Sequence, residues 1–292
     1  MGIGNLMKKI FGPKPVAEQP FQYPQPDPAR IQALEALVAK FGAKTAIDCV
    51  ELTLGTEATG IRASKVGGQP YLPPSFEYPR VRTGELAGRP LRLLAQINFA
   101  ELPPLEDFPT TGILQFYACD AEGWLFGADM DQLTNDNAFR VIYQADISAE
   151  PTPPPALGPV DDWPVFADEF ALTGVLRRQP MTTQDFRFWQ QMSPLYQAAF
   201  GTDEIDAADD IWFSDALPGT GHRLGGYPFF TQNDPREPSL TGHTTLLLQL
   251  DTGGAGDKEI MWGDAGVGNF FIEPERLRAL DFSNVVYTWD CC

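Results

Sequence analysis

The sequence has few of the side chains on which enzymes and metal sites are commonly built. Its 292 residues include only two histidines and four cysteines, which are Cys49, Cys119, Cys291 and Cys292. No two of these cysteines have CxxC spacing and the four form no disulfide framework, so we expect free thiols in a reducing compartment. The sequence also lacks a P-loop, a Gly-x-Ser-x-Gly elbow and a paired catalytic carboxylate motif. We therefore predict no catalytic residue, no metal ligand and no cofactor.

Basic residues are scarce as well. The 21 lysines and arginines are outnumbered by 39 aspartates and glutamates, which gives a net charge of −18. Such a charge repels phosphate backbones and anionic headgroups, which argues against nucleic-acid binding and membrane binding. The longest apolar runs, such as Leu246–Leu248, are too short to span a bilayer, and the amino terminus has no apolar signal core. We expect a soluble, cytoplasmic protein and leave its oligomeric state open.

Apolar and loop-forming residues are plentiful. Hydrophobic residues make up 43% and aromatic residues 12%, which excludes general disorder, while 27 glycines and 27 prolines argue against a helical bundle. The strand-like runs lack the regular alternation of strand and helix that a parallel sheet requires. We therefore predict an α+β protein with mostly antiparallel sheet and a few helices.

The chain shows two helical patterns and eight strand-like runs. The first helix has Asp27 as its N-cap and Gly42 as its closing residue, and the second covers residues 183–200 with an interruption at Pro194. The strand-like runs are Ile47–Leu54, Leu91–Ile97, Ile113–Tyr117, Arg140–Tyr143, Thr244–Leu250, Ile260–Trp262, Phe270–Ile272 and Val285–Thr288.

The two halves of the chain share short motifs in the same order. The matching pairs are Val66–Tyr71 with Leu224–Phe229, Leu93–Asn98 with Leu246–Asp251, Gly112–Tyr117 with Gly266–Phe271, and Val141–Tyr143 with Val285–Tyr287. Their separation drifts only by loop lengths, which predicts an internal duplication whose copies cover each other's apolar faces about a pseudo-two-fold axis. We expect an extended tail (1–28), a first half (29–150), a proline-rich connection (151–164) and a second half (165–292), together forming one compact unit.

Several of these motifs are similar to those of a known family. The segments concerned are Ser64–Pro73, Leu94–Asn98, Leu224–Pro228, Leu247–Asp251 and Met261–Gly266. Together they resemble the signature of the YwqG-like family, a chiefly bacterial domain of unknown function. The resemblance implies an internally duplicated fold and supplies no reaction or catalytic residues. An immunity role is suspected for that family, because some members lie near bacterial toxin genes.

Two basic and two amide side chains occupy matching positions in the two halves. Lys65 and Arg223 precede the two Gly-Gly turns, where each either holds an anion together with turn N–H groups or pairs with a local carboxylate. Gln96 and Gln249 interrupt apolar strands, where each either binds a ligand in a cleft between the halves or satisfies loop backbone or faces water. We take all four as candidate ligand-binding residues.

The remaining candidates lie in the second half alone. They are His222, Trp262 and Asp264, with His243 and Asp251 as further titratable groups. The first half has Ser64 at the position of His222 and Thr110 at the position of Asp264. The titratable groups are a candidate mixed N/O metal site or acid–base pair, although no HxH or HExxH spacing supports either. The alternative role of Asp264 is a hydrogen bond that orders its own loop.

Two acidic runs lie near tryptophans. Residues 203–210 and 161–162 are close in sequence to Trp163, Trp189 and Trp212. Such runs are ordinarily solvated surface, but with aromatic neighbours they are also suited to attracting a basic partner. The leading hypothesis is a non-enzymatic binding protein that holds a basic protein partner on this surface or in the cleft between the halves. The alternatives are a small-ligand or metal-dependent hydrolase with its site in the second half, and a structural housekeeping protein.

Overall fold

One large sheet and a layer of helices make up the described part of the chain. The computed structural model describes residues 26–121, 125–158, 165 and 168–292. The helices there are α1 (Pro28–Thr45), α2 (Phe188–Phe200), α3 (Ala207–Ala216) and α4 (Pro274–Arg278). The strands are β1 (Ile47–Gly55), β2 (Lys65–Val66), β3 (Arg92–Asn98), β4 (Ile113–Ala118), β5 (Phe139–Gln144), β6 (Phe170–Gln179), β7 (His222–Gly225), β8 (Thr245–Asp251), β9 (Gly253–Ala255), β10 (Lys258–Ile260), β11 (Val267–Ile272) and β12 (Val286–Asp290). The predicted α+β class is confirmed. Most of the predicted tail, the acidic run at 161–162 and Trp163 lie outside the described residues.

Helix α1 begins as predicted and ends later. Asp27 caps it by accepting hydrogen bonds from two N–H groups of the first turn. The prediction that Gly42 closes the helix is wrong, because α1 continues to Thr45, whose hydroxyl donates to the carbonyl of Phe41 at 2.9 Å. Phe41 and Thr45 are both buried, so tertiary packing extends the helix past the glycine.

Helix α2 is shorter than predicted and is not interrupted. It begins at Phe188 rather than Thr183, and Pro194 lies inside it. The proline cannot donate to the carbonyl of Gln190, which is an exposed residue of the helix. Phe188 and Met192 are fully buried on the same helix, and this packing compensates for one lost hydrogen bond.

Ten strands form one antiparallel sheet, in the order β12-β11-β8-β7-β1-β6-β2-β3-β4-β5, and β9 and β10 form a separate hairpin. At the centre of the large sheet, β1 and β6 pair along their length from Ile47 opposite Gln179 to Gly55 opposite Ala171. Strands β2, β6, β7 and β9 and helices α3 and α4 were not predicted from the sequence. The prediction of a strand at Ile260–Trp262 is wrong beyond Ile260, because β10 covers Lys258–Ile260 and Trp262 packs into the core after the strand has ended. Strand β6 has no alternation of buried and exposed positions over residues 175–178, all of which are exposed, so its apolar residues do not mark it as a half-buried strand.

The sheet has the same arrangement on both sides of its centre. We call β2, β3, β4 and β5 the first wing, and β7, β8, β11 and β12 the second wing. Thr53 of β1 lies opposite Thr173 of β6. Lys65 of the first wing pairs with Ala171, which lies two positions before Thr173. Arg223 of the second wing pairs with Glu51, which lies two positions before Thr53, so the two cations occupy equivalent positions on either side of the sheet centre.

The main core lies between the two wings. Phe116 of β4 and Phe270 of β11 have ring centroids 4.9 Å apart, although these strands lie far from each other in the strand order. Phe270 stacks on Tyr287 of β12 at 4.3 Å, and Phe139 of β5 lies 5.2 Å from Tyr287. The sheet therefore folds over so that the apolar sides of the wings pack together. A second cluster packs α1, α2 and α3 against each other. In the described ranges, no helix has the length and apolar character needed to cross a bilayer.

Candidate functional site

Gln96 fastens a loop to the first wing. This side chain lies on β3 and is fully buried. Its amide nitrogen donates to the carbonyls of Ile61 (3.0 Å) and Ala63 (2.9 Å), and its amide oxygen accepts from the N–H of Tyr71 (2.8 Å). Both N–H donors and the amide oxygen thus have partners, and we call this arrangement the first clamp.

Gln249 does the same in the second wing. It lies on β8, is fully buried, and donates to the carbonyls of Gly219 (2.8 Å) and Gly221 (2.7 Å). Its amide oxygen accepts from the N–H of Phe229 (2.7 Å). The three hydrogen bonds have the same direction as those of the first clamp and end at matching positions of the chain. We call this arrangement the second clamp.

A further amide on the next strand supports each clamp. Gln115 of β4 donates to the carbonyl of Tyr71 (2.7 Å) and to the amide oxygen of Gln96 (2.9 Å). Asn269 of β11 donates to the carbonyl of Phe229 (2.8 Å). Both supporting residues are fully buried, and neither was predicted as a site residue. The sequence signal that could have identified them was a single amide residue, Gln115 or Asn269, at matching positions in two otherwise apolar strands.

Lys65 lies opposite Gln96 and is only 1% exposed. Its ammonium nitrogen is 3.7 Å from a carboxylate oxygen of Glu169, which also accepts a hydrogen bond from the hydroxyl of Thr59. Burial lowers the pKa of Lys65, and the nearby Glu169 opposes that shift. A local carboxylate is therefore present, and an anion bound at this position would compete with it.

Arg223 lies opposite Gln249 and is 7% exposed. Its guanidinium donates to the carbonyls of Thr220 and Tyr227, the latter at 3.3 Å. Among the described residues, no carboxylate oxygen lies within 4.0 Å of this guanidinium. Burial lowers the pKa of Arg223, while Asp251 acts at longer range to raise it. Backbone carbonyls therefore supply its close partners, unlike those of Lys65.

The Gly-Gly turns beside these cations need glycine for two reasons. Gly68 and Gly226 have φ values of 69° and 72°, which other residues adopt only with strain. A Cβ on Gly68 would lie 2.4 Å from a side-chain carbon of Glu169, and a Cβ on Gly226 would lie 2.2 Å from the amide oxygen of Gln179. The turns thus allow the backbone to approach the central strands closely.

His222 makes the hydrogen bond that Ser64 makes in the first half. The Nδ1 atom of His222 accepts from the N–H of Asp251 at 3.0 Å, and the hydroxyl oxygen of Ser64 accepts from the N–H of Asn98 at 3.0 Å. An accepting Nδ1 assigns the ring proton to Nε2 in the neutral imidazole. Burial, together with the charge of Arg223, lowers the pKa of His222 to about 4. The imidazole is therefore neutral at pH 7, and its Nδ1 atom is already occupied.

Trp262 and Asp264 lie in different environments. Trp262 is fully buried in the core, with ring centroids 5.5 Å from Phe126 and 6.2 Å from Trp289, whereas Asp264 is exposed. No hydrogen bond joins Asp264 to His222 within the described part of the chain. The same residues contain no group of three or more His, Cys, Asp and Glu side chains that could hold a metal ion. The structure does not bring the second-half candidates together into one site.

One segment of the chain, which contains both clamp glutamines, matches a known protein family. Residues 64–291 match the family described as a domain of unknown function, DUF1963. The chain belongs to this family. No curated protein matches the sequence.

Exposed carboxylates surround helix α3 of this DUF1963 chain. Five of them, which we call the acidic helical surface, are Asp203, Glu204, Asp206, Asp210 and Asp215. No lysine or arginine occurs between residues 201 and 216, and none of the five carboxylates is ion-paired with another described residue. Trp212 of α3 is partly exposed beside them. This surface therefore combines uncompensated negative charge with an aromatic ring.

One carboxylate of the same run is buried. Asp209 is 1% exposed and accepts hydrogen bonds from Arg30 of α1 (2.5 Å) and from the hydroxyl of Tyr196 of α2 (2.7 Å). The interpretation of the whole run as solvated surface is wrong for this residue. The guanidinium carbon of Arg30 also lies 3.6 Å from the ring centroid of Phe200. These contacts fix α3 to its two neighbouring helices, so the acidic helical surface has a rigid base.

A groove lies where the two halves of the sheet meet. It has a volume of 380 Å³ and combines the apolar side chains of Ile47, Leu105 and Phe108 with the carboxylate of Asp48. Arg178 lies 3.4 Å from that carboxylate and partly neutralises it. Neither clamp glutamine is among the residues that line this groove, and both bind loop backbone instead.

A buried ion network was missed by the sequence analysis. Arg236 is fully buried and pairs with Asp234 (2.6 Å) and Asp185 (3.1 Å), and Arg187 also pairs with Asp185 (2.7 Å). The guanidinium of Arg236 lies 4.0 Å from the ring centroid of Phe271. The network connects the segment before α2 to the loop before β8. The pair that links the two segments, Arg236 with Asp185, is 51 residues apart in sequence and leaves no local motif, whereas the other two pairs are each two residues apart.

Proposed function

We propose that this protein is a non-enzymatic binding protein that holds a basic protein partner on the acidic helical surface. The observation that carries the proposal is the group of five exposed carboxylates around α3, none of them ion-paired with another described residue. Their field attracts a basic partner at long range, and the partly exposed Trp212 offers apolar contact area at close range. Because Asp209 fixes α3 to α1 and α2, little ordering of this surface is needed on binding.

The state of the other candidates supports binding rather than catalysis. Gln96 and Gln249 use their amide groups on loop backbone, and His222 is neutral with Nδ1 occupied. Asp264 is exposed and has no hydrogen bond to His222 in the described part of the chain. No observation on the described residues favours the hydrolase alternative, so the binding function is the one we propose.

We also propose that the two wings arose by internal duplication and that the chain is a YwqG-like member of its family. The matching hydrogen bonds of the two clamps and the matching strand order support a duplicated origin. The proposed organisation is a tail (1–28), two halves (29–150 and 165–292) and a proline-rich connection (151–164), acting as one unit. The absence of a cysteine framework supports a cytoplasmic location.

The test is capture of partners from the native host by the full chain and by two charge variants. The surface variant carries Asp203→Asn, Glu204→Gln, Asp210→Asn and Asp215→Asn, and it keeps the N-cap Asp206. The control variant carries Glu85→Gln, Asp131→Asn, Glu150→Gln and Asp257→Asn, which change the net charge equally at exposed positions elsewhere.

We expect one basic protein to be captured by the wild type and the control variant and lost from the surface variant. Capture should also weaken as salt rises, because exposed charges are screened. Capture that is insensitive to the surface variant, or recovery of no basic protein at either low or high salt, would overturn the proposal.

A further inference from the structure

An arginine-lined cleft lies at the free edge of the first wing. Arg80, Arg82 and Arg140 line it, together with one acidic side chain, Glu77, among the described lining residues. The cleft has a volume of 610 Å³, within the range of small-molecule sites. Arg140 lies on β5, the last strand of the sheet order on this side. Three arginines around one cleft are unexpected in a chain with a net charge of −18.

Much of the positive charge of these arginines is uncompensated. Arg82 and Arg140 share one carboxylate, that of Asp136, which lies 3.0 Å from Arg140. Arg80 donates to the carbonyl of Gly88 at 2.8 Å, and no carboxylate oxygen among the described residues lies within 4.0 Å of it. The side chain of Arg82 is 55% exposed, so its remaining N–H groups are accessible to a ligand. The guanidinium of Arg140 also donates to the carbonyls of Asp136, Phe139 (2.6 Å) and Arg80 (3.0 Å), so the unused donors of the cleft belong to Arg80 and Arg82.

The same cleft has an apolar part. Tyr78 and Ile142 both line it. The hydroxyl of Tyr78 donates to the carbonyl of Leu91 at 2.9 Å, which fixes the ring in place. Ile142 follows Arg140 by two residues on β5, so the two side chains lie on the same face of the strand. A ligand held by the arginines would thus have an aromatic and an aliphatic surface beside it.

We propose that this cleft binds a small phosphomonoester, with its phosphate held by the free donors of Arg80 and Arg82 beside the positive charge of Arg140, and with its organic part against Tyr78 and Ile142. A guanidinium presents paired donors that match two oxygens of one phosphate, and such charged hydrogen bonds are the strong ones. A phosphate dianion neutralises three arginines better than a single carboxylate does. This site lies on a different part of the chain from the acidic helical surface and does not depend on the partner proposed for that surface.

The test is calorimetric titration of the full chain with phenyl phosphate, inorganic phosphate and phenol. We expect phenyl phosphate to bind more tightly than inorganic phosphate and phenol not to bind. The double variant Arg80→Ala/Arg82→Ala should weaken phenyl phosphate binding by at least about tenfold, because it removes charged hydrogen bonds. Arg177→Ala is the matched control, since that side chain is also exposed (59%) and ion-paired, and it should leave binding unchanged.

Arg80→Ala alone serves as a second variant, because Arg80 has no ion pair among the described residues and its removal leaves no carboxylate unpaired. Thermal unfolding of each variant establishes that it is folded before titration. Absence of phenyl phosphate binding by the wild type, or equal weakening by Arg177→Ala, would overturn the proposal. Equal affinity for phosphate and phenyl phosphate would overturn the role given to Tyr78 and Ile142.

Discussion

Phe116 and Phe270 contact each other across the core, with ring centroids 4.9 Å apart and ring planes at 58°. They occupy matching positions in the two halves, one on β4 and the other on β11. Because these strands are far apart in the strand order, the contact exists only when the sheet folds over on itself. This pair therefore reports on the packing of one wing against the other.

Replacing either phenylalanine by alanine is expected to lower the free energy of unfolding by about 3–5 kcal/mol, because each fully buried ring leaves a cavity. The double variant should lose less than the sum of the single losses, by about 0.5–1.5 kcal/mol, since the rings contact each other. Urea unfolding measures all three variants. Val175→Ala is the control and should cost less than about 0.5 kcal/mol, because Val175 is 50% exposed. Additive losses for the two phenylalanines would contradict direct packing of the wings.

The two clamps should respond alike to loss of their glutamines. Gln96→Leu leaves the carbonyls of Ile61 and Ala63 and the N–H of Tyr71 without a protein partner, and we expect a loss of about 2–4 kcal/mol. Gln249→Leu should cost a similar amount and should speed amide exchange at Phe229. Gln132→Leu at an exposed position is the matched control and should leave both quantities unchanged. A cost for one clamp without a cost for the other would argue against their equivalence.

His222 should make the protein less stable in mild acid. The unfolded imidazole has its ordinary pKa of 6.5, whereas the folded one has a pKa of about 4. Between these values the unfolded chain binds a proton that the folded protein excludes, so the free energy of unfolding falls as pH falls, by up to about 3 kcal/mol from this residue. Below pH 4 no further loss from His222 is expected.

His222→Ser isolates this contribution, because the first half already uses Ser64 for the same hydrogen bond. The difference in free energy of unfolding between wild type and variant should change steadily between pH 6.5 and 4, with the wild type losing more. Chemical denaturation at closely spaced pH values measures it. A difference that is constant over this range would contradict the buried, neutral state of His222.

The buried network around Arg236 should be sensitive to loss of its cation. Arg236→Met leaves Asp185 with Arg187 alone and leaves Asp234 unpaired, and we expect a loss of about 3–5 kcal/mol. Arg177→Met is the control, because its pair with an exposed carboxylate lies on the surface and should contribute less than about 1 kcal/mol. Equal effects of the two substitutions in urea unfolding would show that the network does not stabilise the fold.

The sequence predicted strands where both copies of a motif showed the same alternation of residues between an apolar face and a polar face. This holds for β3 and β8, where a glutamine in an apolar run marked the place of each clamp. It does not hold for β6. Val175 and Leu176 of this strand are exposed although the strand lies at the centre of the sheet, and no local sequence pattern indicates that a central strand would leave them uncovered.

Long-range partners account for most of what the sequence did not reveal. Asp209 lies in the same acidic run as the exposed carboxylates beside it, and its contacts with Arg30 and Tyr196 distinguish it as a buried residue. His222 and Ser64 differ in chemistry but accept equivalent hydrogen bonds, so a difference between the copies did not by itself indicate a reactive group. Composition identified the acidic character of the chain; folding determined which carboxylates remain exposed.

Amide hydrogen exchange with and without the captured basic partner tests the central claim most directly. The account predicts that added protection falls on residues 203–216, around α3 and Trp212, and that it disappears in the surface variant. Protection confined to the groove between the halves or to the arginine-lined cleft, with residues 203–216 unchanged, would contradict it.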